Sequence, residues 1–353
     1  MIAAGRKPRS RTSVRLRPPA VVWVPALLVA AAMILPLVYL VFRALENGPS
    51  EVVEVAFRGK TLAVLARSVA LAAIVTAASV AVAVPLAWLT VRTDLPGQRV
   101  WAVLTALPLV IPSYVGGLVL VSVLGPRGFA QGALAPLGVE RLPEIYGLPG
   151  ATLALTLFSY PYVFLMVRGA LRGTDPALEE ASRSLGSGAL ATFFRVTLPQ
   201  LKPAIIAGAL LVALYSLSDF GAVSLLQFDS FSREIYTQYR SAFDRTPAAI
   251  LGLILVTLTA AILVLEARAR GRARYHRSTA GTTHPHGGRV VALGRWRWVA
   301  LLFCAGVVLL ALVVPVGFLM FLLLRGLAAG ERRPRNRSRS TAPQVRRPRR
   351  WRA

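Results

Sequence analysis

Seven apolar runs constrain this chain more than any other feature: residues 20–42, 68–91, 100–124, 150–167, 204–224, 248–265 and 298–324. About 20 residues rising about 1.5 Å each cross a hydrocarbon core of about 30 Å, so such runs can span a bilayer as helices. They lack the alternation of barrel strands, and lipid offers no water to an open strand edge. The expected fold is all-α, a polytopic transmembrane helical bundle of six core spans plus a seventh. Mean hydropathy of +0.60 over 353 residues excludes an ordinary soluble domain. Small residues are dense in the runs, as in LARSVALAAIVTAASVAVAVPLAW, and let helix backbones approach closely in lipid. Pro36, Pro85, Pro108, Pro112 and Pro161 fall in or beside spans and permit bends.

A net charge of +26 would suit nucleic acid if it were gathered on one surface. Here the basic residues flank apolar runs, as membrane orientation requires, and no nucleic-acid partner is expected. Segments 1–19, 92–99, 168–203 and 266–297 hold 21 Lys and Arg; segments 43–67, 125–149 and 225–246 hold nine, with eight acids. The first set is therefore expected inside, which makes the amino terminus cytoplasmic. The basic stretch 1–19 resembles a signal n-region. The run after it is too long for a signal core and no small-residue cleavage site follows, so 20–42 reads as an uncleaved first span.

The polar break 180–199, EASRSLGSGALATFFRVTLP, has its own order: Glu180-Ala181-Ser182, three residues, Gly186, nine residues, then Val196-Thr197-Leu198-Pro199. Asp175 as N-cap, Pro176 at the first helical position, and Glu179 and Glu180 near the positive end of the dipole start a helix. Gly186-Ser187-Gly188 breaks it; Leu190, Phe193 and Phe194 build a second apolar face. Two short helices with a glycine elbow, lying at a membrane surface, are predicted, with Pro199 and Pro203 starting the next span. This order resembles the cytoplasmic coupling loop of permeases in type I binding-protein-dependent ABC importers, with Ser182 for the commoner Ala and Val196 for Ile. The resemblance implies that the loop docks into a cleft of separate ABC ATPase subunits. Glu180 would offer a charge, Gly186 the elbow, and Leu198-Pro199 the joint to the fifth span. An extracytoplasmic substrate-binding protein, the lipid bilayer and a second permease half, from another copy or another subunit, are the other implied partners, in a bacterial inner membrane.

The stretches VRTDLPGQR, LPLVIPSYVGG, YGLPGATLALTLFSYPYVFL and SDFGAVSLLQFDSF are similar to the iron(III) branch of these permeases. Ferric iron is the implied substrate, with thiamine, phosphonate, polyamine and sulfate as alternatives. The resemblance covers residues 20–270, with a permease domain at 61–267. Asp219 stands near the outer end of the fifth span, where an acid marks either a pathway or a structural contact. It has two readings: with Tyr114, Tyr160 and Tyr162 it lines the translocation path, or it caps the backbone near Gly221. No Walker A pattern occurs, so ATP is expected on a partner and no cofactor on this chain. His276, His284 and His286 lack cysteine or carboxylate support for a metal site, and Cys304 lies alone in an apolar run. No nucleophile–base constellation assembles, so no enzyme is expected. An ATPase-independent channel or secondary transporter would show buried charges for ion coupling, and none line up.

Beyond an Arg- and Gly-rich linker, 268–297, the seventh run at 298–324 resembles the first: both open on Trp-Val and close on Arg, Leu and Gly. It reads as the start of a second half. Residues 331–353, with ten arginines in 23 and no apolar periodicity, read as the tail of a truncated or frame-shifted product.

Overall fold

The structure, a computed structural model, describes residues 20–138, 142–174, 176–241, 244–272 and 291–331. The basic N-terminal stretch, Asp175, the three histidines and the Arg-rich tail lie outside the described residues. Among the described residues every regular element is helical. Seven stretches are long and apolar enough to cross a membrane: Trp23–Ala44, Gly59–Arg92, Ser113–Gly132, Leu148–Gly173, Ala189–Ser218, Thr246–Arg268 and Gly294–Ala328. The first helices in chain order are α1 (Ala20–Ala44), α2 (Pro49–Ala56) and α3 (Gly59–Arg92).

Two of the predicted runs change shape. Residues 100–124 are not one helix: α4 (Gln98–Leu104) passes into a 3₁₀ turn at Leu107–Val110, and α5 (Ser113–Leu124) starts afresh. Ile111, between them, is extended at φ −82° and ψ 117°. The Pro112 ring disfavours the helical region for the residue before it, and Pro108 and Pro112 each lack an N–H. The fifth run ends earlier than expected, at Ser218. There Asp219 turns extended, and a separate helix of five residues, Gly221–Leu225, follows.

The chain divides into two compact units. One joins Met1–Leu65 with Glu234–Glu266. Its first helix, α1, leaves its most apolar stretch unburied, and Leu40 packs on Gly252 of the last long helix of the unit, Thr246–Arg272. Asp244 ties the polar ends of these two helices. It accepts from Asn47 Nδ2 at 3.1 Å, pairs with Arg43 at 3.4 Å, and caps Thr246 through both N–H (2.9 Å) and hydroxyl (2.7 Å). Those donors hold its carboxyl below the ordinary carboxylate range, the Thr246 N–H foremost.

The second unit, Ala66–Arg233 with Ala267–Ala353, is built around Leu148–Gly173, the most deeply buried candidate span. Ala151, Leu155, Phe158, Val163, Phe164, Val167 and Leu171 of this helix are all buried. Its neighbours come close because they are small. A Cβ on Gly208 would stand 2.6 Å from Val163 Cα, and one on Gly116 would run into the Phe158 ring. The expected small-residue packing is thus realised at specific backbone crossings.

The seventh run carries a π-helical turn at Leu309–Val313 and places Ala300, Cys304 and Ala311 in this unit's core. Its approach is pinned by the backbone: Val291 N–H donates to the Arg92 carbonyl (2.8 Å), Asp94 N–H to the Val291 carbonyl (3.1 Å), and Leu293 N–H to Asp94 Oδ1 (2.8 Å).

Candidate functional site

The polar break folds as a helix, an elbow and a longer helix. In chain order after α5 come α6 (Phe129–Leu134), α7 (Leu148–Gly173) and α8 (Pro176–Ser184), with Pro176 at the start of α8 as predicted. Ser187 N–H reaches back to the Ser182 carbonyl (3.2 Å) and Gly186 N–H to the Arg183 carbonyl (3.0 Å). That pair of bonds is a Schellman closure, which puts its C′ residue in the left-handed region. Gly186 sits there at φ +87°, in open space, so glycine is needed for conformation and not for room.

The expected second short helix does not form as a separate element. Instead α9 (Ala189–Thr192), a π-helical turn at Phe193–Thr197 and α10 (Leu198–Ser218) run on as one continuous span from Ala189. Leu198-Pro199 is therefore not a joint. Pro199 stands at the first turn of α10, where its missing N–H costs least, and the wider π turn directly before it absorbs the change in register. The Gln200 amide donates to the Val196 carbonyl at 3.1 Å.

Of the motif residues, Glu180, Ala181, Gly186 and Pro199 are exposed or at the surface of the segment, and Ser182, Val196 and Leu198 are half-buried. Ser182 Oγ lies 3.2 Å from Thr192 Oγ1, closing the elbow on itself. Leu185 is 86% exposed, and Leu190 and Phe194 stand open on the same segment.

The buried acid is Glu179, which the linear pattern marks only as a charge near the helix dipole. Its Oε1 lies 3.4 Å from Arg92 Nε at the end of α3 and accepts from Thr197 Oγ1 at 3.2 Å. Arg183 stands 3.9 Å from its other oxygen. Arg92 also donates to Thr174 Oγ1 at 2.7 Å. The signal is present in VRTDLPGQR, where Arg92 ends an apolar run. In a linear count it is one more loop charge, because spacing alone does not tell which acid it faces.

At the far end of α10, Asp219 is a cap. It is 7% exposed; Oδ1 accepts the N–H groups of Ala222 (3.0 Å) and Val223 (3.3 Å), and Ser113 Oγ donates to Oδ2. Its carbonyl accepts from Ser232. Of its two readings, capping near Gly221 is the one the geometry realises. The three tyrosines differ in their surroundings. Tyr114 is exposed and its Cβ abuts Gly221; Tyr162 stacks at a tilt on Tyr215, 5.8 Å between centroids. Tyr160 is wholly buried, donating to the Thr105 carbonyl at 2.8 Å, and cannot face a path in this conformation. Among the described residues no group of three His, Cys, Asp or Glu is placed to hold a metal ion.

The profile of binding-protein-dependent transport system inner membrane components matches residues 79–275, more than half of the chain and all of the bent segment. The chain belongs to that family. It is 31% identical over 310 residues to the Fe(3+)-transport system permease protein FbpB 2 of Haemophilus influenzae, covering 88% of this chain and 58% of that protein. It is 33% identical over 192 residues to the molybdenum transport system permease protein ModB of Escherichia coli, 51% of this chain and 80% of that one. The chain thus spans little more than half of the iron relative. Its fold is that of a chain in a bacterial alginate ABC transporter solved with an alginate-bound periplasmic protein, at TM-score 0.58 and 16% identity over 74% of this chain and 96% of that chain.

Proposed function

We propose that this chain is a membrane-spanning permease subunit of an ABC importer, translocating ferric iron delivered by an extracytoplasmic binding protein and driven by separate ATPase subunits. The observation that carries the reading is the Gly186 elbow. It presents Leu185, Leu190 and Phe194 outward on a segment tied by Glu179 and Arg92 to the ends of the membrane helices. A docked ATPase that moved the residues following the elbow would move α10, because the helix runs unbroken from Ala189 to Ser218. ATP binds the partner, and the chain itself does no covalent chemistry. The elbow faces the cytoplasm and the amino terminus is inside, in a bacterial inner membrane. A second permease half completes the path, and the open Tyr114 is its best candidate lining residue on this half. Iron is favoured by the FbpB 2 relative, which matches 88% of this chain. The second relative's name points to molybdenum, and sulfate, thiamine, phosphonate and polyamine permeases lie in neighbouring branches.

The test is purification of the chain from its native membrane. A nucleotide-binding subunit is expected to co-purify and to be lost on Gly186→Trp, which blocks the elbow. A full complement of ATPase on that variant, or labelling of Leu185→Cys by an impermeant thiol reagent from outside intact cells, would overturn the reading. Uptake of ferric citrate against sulfate and molybdate in cells expressing the whole system separates the substrates.

A further inference from the structure

Glu179 stands one residue before the motif that marks the elbow. Its side chain is 9% exposed and that of Arg92 11%, so the pair is largely withdrawn from water. One carboxylate meets the last residue of α3 through Arg92, its own helix through Arg183, and the residue leading into α10 through Thr197. Arg92 carries the connection on to Thr174, directly after α7. Neither Arg92 Nε nor Arg183 Nε makes a hydrogen bond, so charge and burial hold the cluster more than direction does. A second tie lies beside it, where Trp88 of α3 meets Phe193 of the π turn edge-on, 5.7 Å between centroids. Thr174 after α7 is extended, so α8 does not continue α7 as one helix.

We propose that Glu179 is a positioning residue: it fastens α8 to the facing ends of α3 and α7 and to the start of α10. A push on the elbow is then passed to the bundle and not spent on moving α8 alone. This rests on the permease reading, in which a separate ATPase supplies the push. Without the carboxylate, α8 keeps its own Schellman closure, its exposed apolar residues and its Ser182–Thr192 contact, and so keeps its docking surface, but it loses its side-chain ties to Arg92 and Thr197. Docking and transmission become separable.

The experiment uses the complex purified with its co-purifying nucleotide-binding subunit, with Cys304 replaced by Ser. Spin labels are placed on two exposed positions outside the Leu185, Leu190 and Phe194 set, Ser184→Cys at the end of α8 and Val100→Cys. Distances are measured nucleotide-free and after trapping with ATP and vanadate. With Glu179 present, the distribution is expected to be the same in both states. In E179A it is expected to match when nucleotide-free and to shift or broaden by roughly 2 Å or more on trapping, the scale of helix displacements in such transitions. A purely structural role would alter both states alike. If E179A does not accumulate, T197V removes one of the three ties and is expected to show the same state-dependent change at smaller amplitude. Distributions in E179A, or in T197V where that is the variant obtained, that follow the unsubstituted complex in both states overturn the inference. A state-dependent shift with Glu179 intact overturns it as well. Absence of any nucleotide-binding subunit from the unsubstituted preparation overturns the permease reading itself, and the inference with it.

Discussion

At its start α10 meets Glu179 and at its end Asp219, each 7% exposed, and the two carboxylates are satisfied in different ways. Asp219 is met by backbone N–H groups three and four residues on and by one hydroxyl. It shapes a corner, ending one helix and starting the next. Glu179 is met by Arg183 four residues on, by Thr197 eighteen residues on, and by Arg92 from the end of α3. It joins elements that the backbone does not join. The contrast teaches that a buried acid bound mainly by the backbone N–H groups just after it organises local chain direction. One facing a cation from another helix ties together elements that the backbone leaves apart.

The contrast can be broken most directly at Arg92. R92M leaves a buried carboxylate without its nearest cation and is expected to cost about 3–5 kcal/mol in reversible unfolding in mixed micelles, with most of it recovered in R92M/E179L. D219A removes a cap and is expected to cost about 1–2 kcal/mol in the same measurement, while D219N, which keeps an acceptor oxygen, costs less. Equal losses in R92M and D219A would end the distinction between joining and capping. At the elbow, G186A forces a side chain to φ +87° and is expected to cost about 1 kcal/mol, seen as faster amide exchange at Ser187. The smallest effect lies in the other unit. Asp244 has a depressed carboxyl, so the support it gives Thr246, Asn47 and Arg43 is present above the ordinary carboxylate range. It is lost only as pH falls through the depressed value. Exchange at the Thr246 amide is expected to rise only in that acid window, and in D244N to be pH-independent there beyond the intrinsic rate.

The helical class, the number of spans and the position of the elbow were legible because each is written in a local pattern: run length, the Gly186 signal and Pro176 at a helix start. Boundaries were legible less well. A window of apolar residues does not register that Pro112 extends Ile111, or that Asp219 can turn back to bond Ala222 and Val223. The continuity of α10 with residues 189–197 was hidden for a related reason. Pro199 reads as a breaker in any linear pattern, whereas a wider π turn before it lets the helix continue. Tyr160 likewise has the pattern of a path residue beside Pro161, but helix rotation directs its hydroxyl at Thr105.

By itself the sequence determined that this chain is a bundle of membrane-sized helices with a bent polar segment between the fourth and fifth, since hydrophobic length and glycine placement act through neighbours in the chain. Only the tertiary structure decided which charges meet. Glu179, not Glu180, faces Arg92, because that choice depends on the rotation of α8 against the end of α3. A buried ion pair forms only where two surfaces distant in sequence close over it.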